Sequence, residues 1–419
     1  MITEEEEEDS RNINILEVEG HREVEGPKIE NPSISTPLKM KQVNICTEEE
    51  LKFVKIRDYW DDTIVDKVVE LLCEYQDLFP TNFSDLKGII SDLGIMKIIF
   101  KPNVKPVKQR PYHLDPKYKE KVHQELDKMM QESIIKPVEE SNWVSLMVVQ
   151  EKKKKGEIRI RVDLQKLNDA CVHDPFPTSF TDEVLDNVGG KEAYSFTNMF
   201  FGYHPIKISP EDRSKTTFAT KWGCFQYTVM PFGLKNVLSI FFRVVIAVFK
   251  EFIHKFLEVY FDDWAVFGLV KCHVTSLRLM LDTCHIYQIV LNLKKNIFFV
   301  PFGILLGHVV CKQGLMVDPA NIAVIVNLEA PRNVKQLHVM LGHMGYYKKI
   351  IKAYAQITAP MEKLLKKDAT FYWDEECQRN LDVLKEKMVT AQILVFFNWI
   401  KEFHVHVDAS CIAFGVVLT

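Results

Sequence analysis

Tyr260-Phe261-Asp262-Asp263 lies between the apolar runs Phe256-Leu257-Glu258-Val259 and Trp264-Ala265-Val266-Phe267. Two strand-forming segments meeting at adjacent carboxylates predict a hairpin whose turn presents negative charge where a metal ion could sit. An Asp-Asp pair at a turn is also what a solvated bend looks like, so the metal reading depends on what else the chain supplies. A second concentration of chemistry is basic: Lys152-Lys153-Lys154-Lys155-Gly156 separates Trp143 to Val149 from Glu157 to Leu164. In the latter segment Ile158, Ile160 and Val162 alternate with Arg159 and Arg161, which puts both guanidinium groups on one face of a strand. The lysine tip is either a solvated turn or a grip on phosphates.

The elements that position these groups are legible in outline. Val237 to Phe261 is apolar but interrupted by Arg243, Lys250, Glu251, His254, Lys255 and Glu258, so it predicts a buried helix followed by a strand and not a membrane span. A helix capped by Asp115, with Pro116 in its first turn, carries the stripe Tyr118, Val122, Leu126, Met129 and Met130, and Pro137 lies beyond its end. Apolar residues at helical spacing mark Tyr59 to Phe79, and His273 to Tyr287 is helical in pattern. Ile297 to Val310 is strand-like, Pro319 to Lys387 mostly helical, and His404 to Val407 strand-like again.

At 419 residues, 47% hydrophobic and 26% charged, the chain has the composition of a soluble globular protein with room for two to four domains. The net charge of −4 averages an acidic start, Glu4 to Asp9, over local basic clusters, so any nucleic-acid footprint is local. Nine scattered cysteines without a Cys-x-x-Cys predict reduced thiols and an intracellular setting, cytoplasm or nucleus. Cys272-His273 and Cys284-His285 fit no standard zinc spacing and fall in a helical stretch, which favours packing or surface positions. The start is acidic where a signal peptide is basic and apolar, so neither a secretory leader nor a membrane partner is expected.

An ordered series of short motifs surrounds the Asp-Asp hairpin. Ile134-Ile135-Lys136-Pro137 precedes Ser141-Asn142-Trp143-Val144-Ser145, and the basic tip is followed by Arg159, Val162-Asp163 and Lys166-Leu167-Asn168. Then come Gly202-Tyr203-His204, Lys215-Thr216-Thr217-Phe218-Ala219-Thr220, Met230-Pro231-Phe232-Gly233-Leu234-Lys235-Asn236 and Leu306-Gly307-His308. Leu341-Gly342-His343 with Tyr346-Tyr347, Trp373, and Val407-Asp408-Ala409-Ser410 complete it. In this order, over about 370 residues from near Val43, the chain resembles the reverse transcriptase of gypsy-type LTR retrotransposons, a part of their Pol polyprotein.

The resemblance implies an α+β right-hand polymerase, with fingers, an antiparallel palm sheet backed by helices, and a thumb and connection, followed by a truncated ribonuclease H-like start. Its expected divisions are an acidic, disordered leader or linker over 1–45, an N-terminal extension to the fingers over 46–110, fingers and palm over 111–315, a mainly helical thumb and connection over 316–395, and the ribonuclease H-like start over 396–419. The implied partners are an RNA or DNA primer-template and deoxynucleoside triphosphates. The implied cofactor is Mg²⁺, two ions held by three aspartates. Asp262 and Asp263 match two of these. Lys153, Lys154 and Arg159 match the triphosphate grip, Tyr203 the aromatic under the incoming sugar, and Gly233 a turn open to template or nucleotide. Tyr203 has an alternative place in the core, and Gly233 in a simple helix-entry turn. Asp408 matches the first metal-binding carboxylate of ribonuclease H, and with the chain stopping at Thr419 no such nuclease activity is expected.

Departures from the family pattern cluster in the same motifs. The family's Phe-Ser-x-Leu-Asp-Leu is here Tyr194-Ser195-Phe196-Thr197-Asn198-Met199, so the third aspartate is Asn198. An amide offers one neutral oxygen where a carboxylate offers two and a full charge. A loss of roughly 3 to 6 kcal/mol of metal and transition-state stabilisation corresponds to a turnover slowed about a hundredfold to ten-thousandfold. Lys155, Gln165, Pro205 and the pair Val237-Leu238 also depart. The expected product is a polymerase homologue with a weakened metal site and little or no activity. The alternatives are a non-catalytic nucleic-acid-binding remnant and a pseudogene product without function.

Overall fold

In the computed structural model, residues 40–46, 52–57, 59–80, 88–89, 94–111, 113–151, 157–177, 179–200, 202–390 and 393–394 are described, together with the strands Val405–Ala409 and Phe414–Leu418. The lysine tip, with Lys153 and Lys154, and the acidic leader up to residue 39 lie outside the described residues. The chain forms two compact units, one from Leu38 to Leu305 and one that includes Leu306 to Thr419.

The first unit holds two sheets. One has the strand order Met40–Asn44, Phe53–Arg57, Ile297–Val300, Ala193–Asn198, Asp263–Gly268, Leu257–Tyr260. Every junction is antiparallel except Ile297–Val300 against Phe53–Arg57. A strand arriving from far along the chain is free to run either way, whereas the short Phe261-Asp262 connection forces Leu257–Tyr260 and Asp263–Gly268 to be antiparallel. Helices Asp62–Glu74, Val237–Phe249 and Val270–Tyr287 contribute Val68 and Leu72, Val244 and Phe249, and Leu277 and Leu281 to the core shared with Trp264, Val266 and Phe298. The buried helix and following strand expected between Val237 and Phe261 are Val237–Phe249 and Leu257–Tyr260.

The other sheet has the order Ile135–Val138, Gly223–Tyr227, Phe218–Thr220, Ser145–Glu151, Ile158–Asp163. Helix Pro116–Gln131 packs on it through Val122 and Leu126, which are fully buried with Phe218 and Phe225. Asp115 caps this helix by accepting from Lys117 N at 3.0 Å. The basic segment is a hairpin arm, with Gln150 opposite Arg159 and Val148 opposite Arg161, and both arginines are exposed.

The second unit opens with the hairpin His308–Cys311 and Gly314–Val317. Helices Pro319–Val326, Val334–Gly345, Tyr354–Lys363 and Glu375–Val389 follow, three of them capped by Asp318, Asn333 and Asp374. Leu337, Met340, Met344, Met361, Leu381 and Met388 form its core. The strand-like run from Ile297 to Val310 is divided in the structure into Ile297–Val300, Phe302–Leu305 and His308–Cys311. Positive φ angles at Leu306 (48°) and Gly307 (71°) turn the chain before the last of these. Val405–Ala409 and Phe414–Leu418 form an antiparallel pair that places Asp408 opposite Gly415. No described helix is long and apolar enough to cross a membrane.

Candidate active site

The hairpin turn is tighter than its sequence suggests. Tyr260 pairs with Asp263, leaving Phe261 and Asp262 as the connecting residues. Phe261 sits at φ 50°, a region that a bulky side chain occupies only under strain of order 1–3 kcal/mol. Surrounding contacts hold it there: Trp264 Nε1 donates to Phe261 O at 3.1 Å, and the Phe261 ring meets those of Tyr260 and Phe242 edge-on. The consequence is that Asp262 turns inward and Asp263 begins the next strand.

Ala193–Asn198 runs antiparallel beside that strand, and its register pairs Asn198 directly with Asp263. Asn198 is buried, and its Nδ2 donates to Asp263 Oδ1 at 2.7 Å. Its Oδ1 accepts from Lys295 Nζ at 3.2 Å. The charges fix the orientation of the amide, because a flip would set its oxygen on a carboxylate and its N–H on an ammonium.

Asp262 is half-buried, and its Oδ1 is shielded from solvent with no hydrogen-bond partner among the described residues. Burial, and next the charge of Asp263, raise its carboxyl above the usual carboxylate range, against a lowering pull from Lys295. Gly202, at φ 55°, lets the backbone pass this carboxyl: a Cβ there would stand 3.3 Å from Asp262 Oδ2 and 3.5 Å from Oδ1. A desolvated carboxylate oxygen without a hydrogen bond suits a hard divalent cation. A two-ion set is not complete, since Asp263 Oδ1 already receives an amide proton and the facing residue is neutral. Among the described residues no cluster of three His, Cys, Asp or Glu could hold a metal.

The remaining expected residues are distributed around this centre. Tyr203 is buried, edge-on to Phe241 at 5.1 Å and tilted on Phe232 at 5.2 Å. Burial, with a smaller contribution from Asp262, pushes its hydroxyl up to about 12. Gly233 has φ 98°, and a Cβ there would have Val162 O at 4.0 Å as its one neighbour, so the turn is open on that side. Asn168 clamps the turn, donating to Gly233 O at 2.7 Å and accepting from Lys235 N at 2.8 Å. Arg159 lies exposed on its strand in the other sheet. Asp408 lies on a backbone strand of the second unit, and Lys153 and Lys154 are outside the described residues.

Sequence reasoning missed Lys295 as a site residue and did not weigh Gly202 on its own. Lys295 follows from no periodicity, because a turn brings it to Asn198. Gly202 carried a signal in its place one residue before Tyr203, but only the φ angle shows why it is glycine.

Comparisons with known proteins agree with this architecture. Residues 151–339 match the family described as reverse transcriptase (RNA-dependent DNA polymerase), and residues 373–419 match the RNase H-like domain found in reverse transcriptase. The chain is 28% identical over 370 residues to the retrovirus-related Pol polyprotein from transposon opus of Drosophila melanogaster, covering 84% of this chain and 37% of that protein. It is 27% identical over 357 residues to the corresponding polyprotein from transposon 412 of the same organism, covering 84% and 29%. The chain thus spans about a third of the length of these relatives. Among solved structures, the foamy viral protease-reverse transcriptase in complex with double-stranded DNA is similar in fold, with a TM-score of 0.75, 19% identity, and coverage of 84% of this chain and 73% of that one. Its complex with an RNA/DNA hybrid gives 0.73 and 18%, over 86% of this chain and 50% of that one.

Proposed function

We propose that the chain, which matches the reverse transcriptase family over residues 151–339 and is similar to retrotransposon Pol polyproteins, is an RNA-directed DNA polymerase homologue whose chemistry is attenuated at Asn198. The observation that carries this reading is the 2.7 Å hydrogen bond from Asn198 to Asp263 across adjoining strands. It supports reading Asn198 as the counterpart of the family's third aspartate.

In such a site Mg²⁺, when bound, supplies activation of the primer 3′ hydroxyl and stabilisation of the leaving pyrophosphate. What this chain's own residues contribute is clearer on the binding side. Arg159 and Arg161 present two exposed guanidinium forks on one strand face, suited to phosphates of a primer-template or a deoxynucleoside triphosphate. Lys153 and Lys154 extend that charge in the sequence. Tyr203 and Phe232, tilted against each other beside Asp262, form an aromatic wall that can support a sugar, and the open face of Gly233 leaves room for a base or backbone to approach. Asp263, already engaged by Asn198, is a weaker ligand than a free carboxylate.

The test is primer extension by the purified chain with Mg²⁺ and with Mn²⁺, beside Asn198→Asp. Negligible extension by the unmodified chain and a rise of about a hundredfold or more in the variant is expected. Robust extension by the unmodified chain overturns the attenuation. Primer-template binding without extension by either form leaves the non-catalytic binding reading in its place.

A further inference from the structure

We propose that Cys46 and Cys73 are a redox pair, which under peroxide closes a reversible disulfide and locks the outermost hairpin of the six-stranded sheet onto helix Asp62–Glu74. The behaviour of this pair does not depend on whether the chain extends a primer.

Both thiols sit at one packed junction. Met40–Asn44 is the edge strand of its sheet, paired with Phe53–Arg57. Just beyond it Ile45 is fully buried in the same core as Leu71 and Leu72 of the helix, and Cys73 packs against that core. Asn44 fixes the residue that follows. Its Oδ1 accepts from Cys46 N at 3.2 Å and from Lys52 N at 3.0 Å, and its Nδ2 donates to Cys46 O at 3.0 Å. From this turn the Cys46 thiol donates to Gln76 Oε1 at 2.9 Å, and Lys52 Nζ donates to Gln76 O at 3.3 Å. Gln76 lies three positions after Cys73, the spacing that sets side chains on one side of a helical turn. The Cys46 sulfur is thereby held at the end of the helix that carries Cys73.

Both side chains are half-buried, which leaves them open to a small oxidant. Burial, and next the charge of Cys46, raise the Cys73 thiol above its ordinary range, so Cys73 keeps its proton and Cys46 is the sulfur that meets the peroxide. The Cys46 thiolate attacks one oxygen of hydrogen peroxide: an S–O bond forms, the O–O bond breaks, and hydroxide leaves with a sulfenic acid behind it. The Cys73 sulfur then attacks the sulfenic sulfur. The S–S bond forms, the S–O bond breaks, and the hydroxyl departs as water with the Cys73 proton. The two thiols lose two electrons and two protons, and one peroxide becomes two waters. In a reducing compartment a bond of this kind is transient and redox-sensing, whereas permanent ones belong to secreted chains.

The test treats the reduced full chain with hydrogen peroxide, caps free thiols with N-ethylmaleimide, and reads the digested peptides by mass spectrometry. A cross-linked Cys46–Cys73 peptide is expected, at a yield that does not change on dilution, and dithiothreitol should remove it. Oxidation should raise the melting temperature by about 5 °C, the scale of effect for closing a loop of about 27 residues, and slow amide exchange in Met40–Asn44. Cys73→Ser should leave Cys46 as a sulfenic acid that dimedone traps, with no rise in melting temperature. Cys46→Ser should leave Cys73 capped by maleimide. Cys46 and Cys73 both still capped at a peroxide dose that oxidises the exposed Cys272 overturns the pair. So does a cross-link whose yield falls on dilution, or one that joins Cys46 to a different cysteine. A Cys46–Cys73 bond that leaves melting temperature and amide exchange unchanged overturns the lock.

Discussion

Asn198 and Asp263 are paired residues of adjoining antiparallel strands, and the amide of one donates to the carboxylate of the other at 2.7 Å. The amide proposed above to weaken metal chemistry thus sits in a satisfied hydrogen bond. In the metal-free chain it is a stabilising contact, because it relieves the repulsion that a third carboxylate would bring.

Asn198→Asp is therefore expected to trade stability for metal affinity. Without divalent ions the variant loses the amide hydrogen bond and gains a like-charge contact, a cost of about 1–3 kcal/mol. Thermal melts in chelator should fall below those of the unmodified chain and recover with millimolar Mg²⁺ or Mn²⁺. A variant equally stable in chelator would mean that the contact carries no net stabilisation.

Asp262 gives the pH dependence. Its carboxyl is raised in the folded chain by burial and by Asp263, so the folded state holds a proton that the unfolded state has released. Stability from this group is complete below the ordinary carboxylate range and is lost as pH rises through the raised folded value. Asp262→Asn should accordingly be more stable than the unmodified chain in metal-free urea titrations at pH 7, and the difference should shrink as pH falls towards 4. A gap that is constant across this range would place its origin outside this ionisation.

Gly202 is where backbone and carboxylate come closest. Gly202→Ala must hold φ 55° with a Cβ 3.3 Å from Asp262 Oδ2. A loss of about 1 kcal/mol is expected from the backbone alone. Displacement of the carboxyl should also lower extension at least about tenfold when the substitution is combined with Asn198→Asp. Unchanged extension in that combination would show that Asp262 adapts freely.

Arg159 and Arg161 share an exposed strand face, so their joint replacement by alanine should weaken primer-template binding alike for all sequences. The slope of log affinity against log salt should flatten by about one for each phosphate that is no longer neutralised. Fluorescence anisotropy between low and moderate salt reads both quantities, and an unaltered slope would assign the pair to the solvated surface.

The features legible in the string of residues alone were local and chemical. Alternation set the face shared by Arg159 and Arg161, Asp115 and Pro116 marked a helix start, and the apolar pattern separated Val237–Phe249 from Leu257–Tyr260. Each of these signals depends on neighbours a few residues away, which is the range over which side-chain periodicity and capping act. The substitution at Asn198 was visible for the same reason, since a motif is a local string. Tertiary structure decided what Asn198 touches. Its partners Asp263, Lys295 and Asn296 lie 65, 97 and 98 positions away, brought in by strand register and a pinned turn. It also decided the positive φ at Phe261, because nothing in an aromatic residue announces a left-handed backbone that packing imposes. Register and packing are long-range balances of burial and hydrogen bonding, so the sequence could name two carboxylates and an amide, while only the fold could make them one electrostatic unit with a lysine.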